Sequence, residues 1–309
     1  MPAGPRTGGG PAPAGRELAR LHDRVLDWYA VHRRDLPWRR PGCSPWGVLV
    51  SEVMLQQTPV ARVEPVWRRW MERWPTPAAL AAATPGEAVR AWDRLGYPRR
   101  ALRLHAAARA VVERHEGRVP DQEDVLRSLP GVGSYTAAAV AAFAFGRRTA
   151  VVDTNVRRVH ARAVGGRALP APALTAAETA LAAELLPADE PTAATWSVAV
   201  MELGALVCTA RAPRCVSCPL VDRCAWVAAG SPPDDGPPRR GQAWEGTDRQ
   251  CRGRLLQLLR ETEGPVDGDR LRAVWPEEVQ RERCLDGLVA DGLVEPLTDD
   301  RFALPGSTG

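Results

Sequence analysis

In DVLRSLPGVGSYTAAAVAAFAFG, residues 124–146, a short apolar-periodic run meets the turn Pro130-Gly131-Val132-Gly133 and continues into an alanine-rich run. The pattern predicts a short helix, a tight turn and a second helix. Glycines at 131 and 133 let the backbone come close to another molecule. The second helix then offers its free N–H groups and the positive end of its dipole to an anion. The same L-P-G-x-G string also suits a plain αα-corner. A dinucleotide fingerprint is disfavoured, because the third glycine of G-x-G-x-x-G and a preceding strand are both missing.

Outward from this hairpin the chain reads as all-α. Apolar residues recur at helical spacing over 16–32, 46–57, 59–73, 99–115, 134–145 and 190–206, and Pro37, Pro59, Pro75, Pro77, Pro98, Pro120 and Pro130 mark connections. SPPDDGPPRRGQ (231–242) has the composition of an exposed linker, taken as 229–242. Beyond it, 248–262, 267–274 and 277–291 read as helices and LVEPLTDDRFAL (293–304) as two short strands around a turn. Three helices and a hairpin suit a small winged-helix-like C-terminal domain over 243–309.

The 309 residues are 45% hydrophobic and 25% charged, as in an ordinary globular chain with room for two or three domains. No apolar run reaches the length that crosses a membrane, and MPAGPRTGGGPAPAG (1–15) reads as a disordered tail rather than a signal peptide. A cytoplasmic protein is expected, in a compartment that keeps thiols reduced. All 41 basic residues are arginine. With no lysine, Schiff-base chemistry on a side-chain amine is closed to this chain. Residues 16–230 hold 29 Arg against 21 acids, net +8, whereas 231–309 hold 11 against 16, net −5. A basic body with an acidic appendage suggests that any polyanion is handled by the body.

Four of the seven cysteines, Cys208, Cys215, Cys218 and Cys224, fall within 17 residues at spacings of six, two and five. Four thiolates so crowded can surround one metal centre, either tetrahedral zinc or a 4Fe-4S cube. Zinc ribbons usually pair two short C-x-x-C knuckles, and the uneven loop here wraps a cube better. Cys43, Cys251 and Cys284 stand alone and read as ordinary core or surface thiols.

The hairpin, an Asp about twenty residues after it and the cysteine loop together resemble the endonuclease III-type helix-hairpin-helix, iron–sulfur DNA glycosylases. Within that superfamily the chain is most similar to the A/G-specific adenine DNA glycosylases. The residues carrying the narrower match are LPWR (36–39), SEVMLQQT (51–58), LGY (95–97), LPGVGSYTA (129–137), VVDTNVRRV (151–159) and MELGALVC (201–208). The resemblance spans residues 16–228. It implies a catalytic domain of two lobes, about 44–150 for the hairpin lobe and 16–43 plus 151–228 for the cluster lobe. It further implies double-stranded DNA held between the lobes, a 4Fe-4S cofactor, and a nucleoid-associated monomer acting in base excision repair on adenine opposite 8-oxoguanine or guanine.

Bifunctional relatives place a lysine after the residue matching Ser134; this chain has Tyr135, so the resemblance implies base release without lyase activity. Adenine leaves poorly as an anion. Its departure calls for one carboxyl group to protonate it and another to face the oxocarbenium-like sugar as an anion. Glu52 lies in the apolar run WGVLVSEVMLQQ, where burial favours a protonated acid. The matching family residue protonates adenine N7. Asp153, ionised, takes the second role as electrostatic partner or transient nucleophile, and also suits the N-cap of the helix that starts TNVRRV. Tyr135 and Asn155 match supporting catalytic residues. Gln57 matches the wedge that fills the gap left by an everted base, with Thr58 beside it, and Tyr97 an intercalating aromatic. Gly131, Val132 and Gly133 match the phosphate-gripping turn, and Arg34, Leu36, Trp38 and Arg39 the wall of an adenine pocket.

Three departures stand out. Thr154 replaces a frequent glycine. Val198 stands where several relatives carry Gln or Glu against adenine, so the contact is either lost, with weaker adenine discrimination, or shifted to Glu202. The 243–309 segment does not resemble the family's Nudix-like domain. Two alternatives stay open: an endonuclease III-like glycosylase for damaged pyrimidines, disfavoured by Tyr135 and SEVMLQQT, and a non-catalytic iron–sulfur DNA-binding sensor.

Overall fold

The computed structural model describes residues 15–234, 236 and 244–306. The expected tail apart from Gly15, residues 235 and 237–242 of the expected linker, and residues 243 and 307–309 of the expected C-terminal domain lie outside the described residues. Helix α1 spans Arg16–His32, α2 Pro45–Leu55, α3 Val60–Arg73, α4 Pro77–Ala81, α5 Pro85–Ala91, α6 Arg99–His115, α7 Glu123–Arg127 and α8 Ser134–Phe145. Then follow α9 Thr154–Ala163, α10 Ala176–Glu184, α11 Glu190–Leu206, α12 Ala225–Ala228, α13 Asp248–Glu261, α14 Gly268–Val274 and α15 Glu278–Ala290. Among the described residues, strands occur only near the C-terminal end, and no helix is long and apolar enough to cross a membrane.

Local chemistry starts these helices where they start. Ser44 accepts the Gly47 N–H at 3.1 Å ahead of Pro45, and Thr84 with Glu87 and Thr175 with Glu178 form reciprocal capping boxes. Cα packing sorts the helices into two units. One gathers the described residues up to Cys43, Asp121–Glu123, and Gly133 onward to Asp234. Its core joins Trp28 and Tyr29 of α1, Val156 and Val159 of α9, and Trp196, Val200 and Leu203 of α11. The expected lobe boundary near 150 differs from this division, because α8 belongs here. Its alanines are buried around most of the helix, and Ala138, Ala139 and Ala142 pack with Ala194 and Met201 of α11.

The other unit gathers Ser44–Pro120, Asp124–Val132 and the described residues from 244 to 306. Its core is built on tryptophan: Trp70 meets Trp74 and Trp92 edge to face, with ring centroids 4.9 and 5.6 Å away. Each indole N–H finds a carbonyl, Trp67 that of Gly47 at 2.9 Å and Trp70 that of Ala91 at 2.8 Å. The described C-terminal residues fall within this unit. There α13 and α15 pack together beside a three-stranded antiparallel sheet, in which β3 (Arg301–Ala303) lies between β1 (Val266–Asp267) and β2 (Glu295–Leu297). Phe302 is paired with both Val266 and Pro296. Strand β1 adds to the two strands the sequence suggested.

Candidate active site and cysteine cluster

The unit built on tryptophan carries Glu52, Gln57, Thr58 and Tyr97. Helix α2 is buried continuously from Trp46 to Met54, and Glu52 within it is 4% exposed. The helix ends at Leu55, and Gln57 turns out to solvent in a left-handed conformation, φ 55°. Thr58, expected on the DNA face, is buried, and its hydroxyl donates to the Leu95 carbonyl at 3.2 Å. Tyr97 is also left-handed, φ 47°, and 57% exposed.

A residue that sequence reasoning passed over holds Gln57 and Tyr97 in place. Arg100, buried on α6, donates to the carbonyls of Val53 at 2.9 Å, Met54 at 3.0 Å and Gln56 at 2.6 Å. These are orphan acceptors at the end of α2. It also reaches the Thr58 hydroxyl at 2.9 Å and the Gly96 carbonyl at 3.0 Å, and its guanidinium lies 5.4 Å from the Tyr97 ring. Burial pulls Arg100 down to about 10, which leaves it a cation at neutral pH. The hairpin turn shows one strict glycine. Gly131 has φ 77°, and a Cβ there would meet the Arg103 side chain at 2.7 Å, whereas one on Gly133 would meet nothing within 4 Å. Val132 between them is buried. Gly133 caps α8 with no side-chain acceptor.

The other unit carries Asp153. It caps α9: one oxygen accepts the Val156 N–H at 2.7 Å and the other accepts the Asn155 amide at 2.8 Å. Arg158 donates to the Asn155 side-chain oxygen at 2.7 Å, which turns the amide nitrogen toward Asp153. The same guanidinium donates to the carbonyls of Cys208 at 2.6 Å and Gly204 at 2.7 Å. Burial pushes the Asp153 carboxyl above its ordinary value, and the bonds from Val156 and Asn155 draw it partly back. Tyr135 packs half-buried against the alanine face of α8 and Val151.

Arg34, Arg39 and Glu202 come together. Glu202 is fully buried on α11. One oxygen accepts from the Arg34 backbone N–H at 3.0 Å and Nε at 2.7 Å; the other accepts from Arg34 NH2 at 2.7 Å and Arg39 NH1 at 2.8 Å. Four donors fill the acceptor sites of a carboxylate, so the structure gives Glu202 to the arginines and leaves no acceptor for a purine edge. Burial pushes Glu202 upward, but Arg34 and Arg39 outweigh it and hold the carboxyl down at about 2. Leu36 and Trp38, between the arginines, are buried, and Val198 packs half-buried against the core of this unit.

Cys208, Cys215, Cys218 and Cys224 line one small cavity together with Arg162 and Trp226. Two short 3-10 turns, Cys215–Ser217 and Val221–Arg223, fold the loop back on itself. Arg162 donates to Cys208 Sγ at 3.4 Å and stacks 4.7 Å from the Trp226 ring. Burial, then the neighbouring thiols, pushes Cys218 up to about 11. Among the described residues no three His, Cys, Asp or Glu side chains converge on a point that one metal ion could fill. Cys251 and Cys284 are buried core thiols on α13 and α15, and Cys43 is half-buried.

Residues 50–183 match the family model described as HhH-GPD superfamily base excision DNA repair protein. The chain is 58% identical, over 91% of its length and 92% of the relative's, to a protein of Mycobacterium tuberculosis named adenine DNA glycosylase. Among solved structures, a thermostable thymine-DNA glycosylase superposes with a TM-score of 0.62 at 28% identity, covering 69% of this chain and 97% of that one. Endonuclease III in a non-covalent DNA complex gives 0.59 at 24% identity, covering 70% and 97%, a likeness of fold alone. The helical fold is therefore that of endonuclease III and its kin. The chain belongs to the HhH-GPD superfamily of base excision DNA repair proteins, in its adenine DNA glycosylase family.

Proposed function

We propose that this chain hydrolyses the N-glycosidic bond of adenine mispaired with 8-oxoguanine or guanine in double-stranded DNA, as a monofunctional glycosylase of base excision repair. The observation that carries this reading is the fixed carboxylate of Asp153, gripped by the Val156 N–H and by an Asn155 amide that Arg158 orients. Such a group faces a developing positive charge without reorganising. Glu52, sunk in α2, delivers its proton to N7 of the everted adenine. The C1′–N9 bond breaks, its electron pair stays with the base, and Asp153 stabilises the oxocarbenium-like sugar. Water adds at C1′ and gives up a proton, leaving an abasic site. No lysine exists to intercept the sugar, so the backbone stays intact. Gln57 and Tyr97, both exposed on left-handed backbone, occupy the opened stack.

The four cysteines fit a 4Fe-4S cluster. They line a single cavity that no carboxylate or imidazole shares, and four thiolates are the ligand set of such a cluster. When bound, the cluster supplies a rigid crosslink for the loop; Arg162, donating to Cys208, offers a positive neighbour for ligand thiolates. The helices α13–α15 and the following hairpin support the winged-helix-like reading of the C-terminal residues.

The test is single-turnover base release from duplexes holding adenine opposite 8-oxoguanine, guanine or cytosine, with and without alkali. Release opposite the two purines, with strand breaks only after alkali, is expected. Glu52→Gln should lose excision and still bind the mispair; an unchanged rate in that variant would overturn the assignment.

A further inference from the structure

The C-terminal residues grip the loop that carries Tyr97. Helix α5 ends at Ala91, and Asp93 takes a left-handed conformation, φ 50°, while its N–H bonds back to the Arg90 carbonyl. That turn leaves the Val89 carbonyl without its helical donor. Arg260, near the end of α13, supplies one: its Nε donates to the Val89 carbonyl at 2.9 Å and its NH1 to the Asp93 carbonyl at 2.6 Å. The capping is reciprocal. Arg90 of α5 donates to the carbonyls of Arg260 and, at 2.9 Å, Thr262, which close α13. Each helix end, the negative end of its dipole, thus receives a guanidinium from the other.

Further contacts flank the same loop. Asp291 meets Arg99 at the start of α6 at 3.1 Å, and the Pro305 carbonyl accepts the Gly86 N–H at 2.7 Å. Between these anchors lies Tyr97, with the Gly96 carbonyl pinned by the Trp92 indole at 2.9 Å. Arg260 is an expensive way to join two helices. It is half-buried, and its NH2 is covered with no hydrogen-bond partner among the described residues. Apolar packing would hold α13 against α5 as firmly but would fix the direction of no carbonyl.

We propose that Arg260 is a positioning residue, through which residues 244–306 hold the Trp92–Pro98 loop in the shape that presents Tyr97 to DNA. The C-terminal segment then contributes to mispair binding from behind the loop, without itself touching DNA. This inference rests on the reading of Tyr97 as a DNA-contacting side chain.

A double-mutant cycle on mispair binding by the full chain tests it, with Arg260→Met and Tyr97→Ala. Arg260→Met should weaken binding about tenfold and leave the single-turnover rate at saturating enzyme unchanged, as the loss of a contact made equally in ground and transition states does. Arg260→Lys, which keeps a charge and one donor direction, should recover part of the loss. In a Tyr97→Ala background the Arg260 substitution should have no further effect on binding. A loss of the same size in both backgrounds would overturn the brace and leave the Tyr97 reading intact. If Tyr97→Ala alone left binding unchanged, the Tyr97 reading would fail, and the brace with it. Should Arg260→Met not fold, Arg260→Lys runs through the same cycle with the same two criteria.

Discussion

At Asp153 two opposing effects meet: burial favours the neutral acid, and donors from Val156 and Asn155 favour the anion. Burial prevails, so the acid limb of the pH–rate profile should lie above the range of an ordinary aspartate. Asn155→Ala removes a donor to the charged form. It should move that limb further up and depress excision most at mildly acid pH, measured by single-turnover rates across pH 4–8; a limb that stays in place would show that the amide does not govern the carboxyl. His160 on α9 is buried, and burial lowers it to about 4. The unfolded chain binds this proton near pH 6.5, the native one only near 4, so the stability the neutral imidazole contributes fades as pH falls through that window. The loss amounts to about 3 kcal/mol at most. His160→Leu should flatten the acid side of a urea-unfolding stability profile between pH 6.5 and 4. The sequence points to Asp153 through its cap position and to Glu52 through its apolar helix. It does not single out Arg100 or Arg158, because among 41 arginines nothing local marks the few that turn inward to gather carbonyls.

Among the elements, the crossing of α9 and α11 sets where Asp153 stands. Gly204 permits it: a Cβ there would lie 2.7 Å from the Asn155 Cβ and 2.8 Å from its carbonyl oxygen, which is backbone and cannot yield. Gly204→Ala should cost roughly 1–3 kcal/mol in unfolding free energy. Because it pushes on the residue that grips Asp153, it should slow excision as well. Gly253→Ala is the control, in α13 with open space around it; there the change should stabilise by about 0.5–1 kcal/mol and leave the rate alone. Long helices were legible from periodicity and from prolines at their borders, as α1, α6, α8 and α11 show. Short α4 and α5 and the two-residue β1 were not, for a turn or two of helix carries too little pattern to announce its face. The cysteine loop was legible as a cluster because its spacing is the signal. Its Arg162 and Trp226 neighbours come from α9 and α12 and leave no mark in that spacing.

For the whole molecule, charge divides the labour. On the proposed reading, the net +8 over residues 16–230 and net −5 over 231–309 favour phosphate contacts on the first part. The C-terminal segment carries an excess of acids. Asp299 and Asp300 form the hairpin tip on left-handed backbone, and α15 with its cap holds Glu277, Glu278, Glu282 and Asp286. Its sequence was enough to suggest helices and a hairpin; its docking within the unit of α5 was not, because the Arg90 and Arg260 carbonyl contacts join residues about 170 apart. Mispair affinity measured against salt separates the two parts. Arg211 is exposed in the loop between Cys208 and Cys215, and on the proposed reading Arg211→Gln should lower the steepness of the salt dependence by about one phosphate contact. Asp299→Asn combined with Asp300→Asn keeps residues that tolerate the left-handed turn and removes two negative charges. If the tip stays clear of DNA, that pair should leave both affinity and slope where they were. A steeper slope in the pair would mean that the hairpin lies against the phosphates after all, and that its aspartates temper a contact the protein already makes.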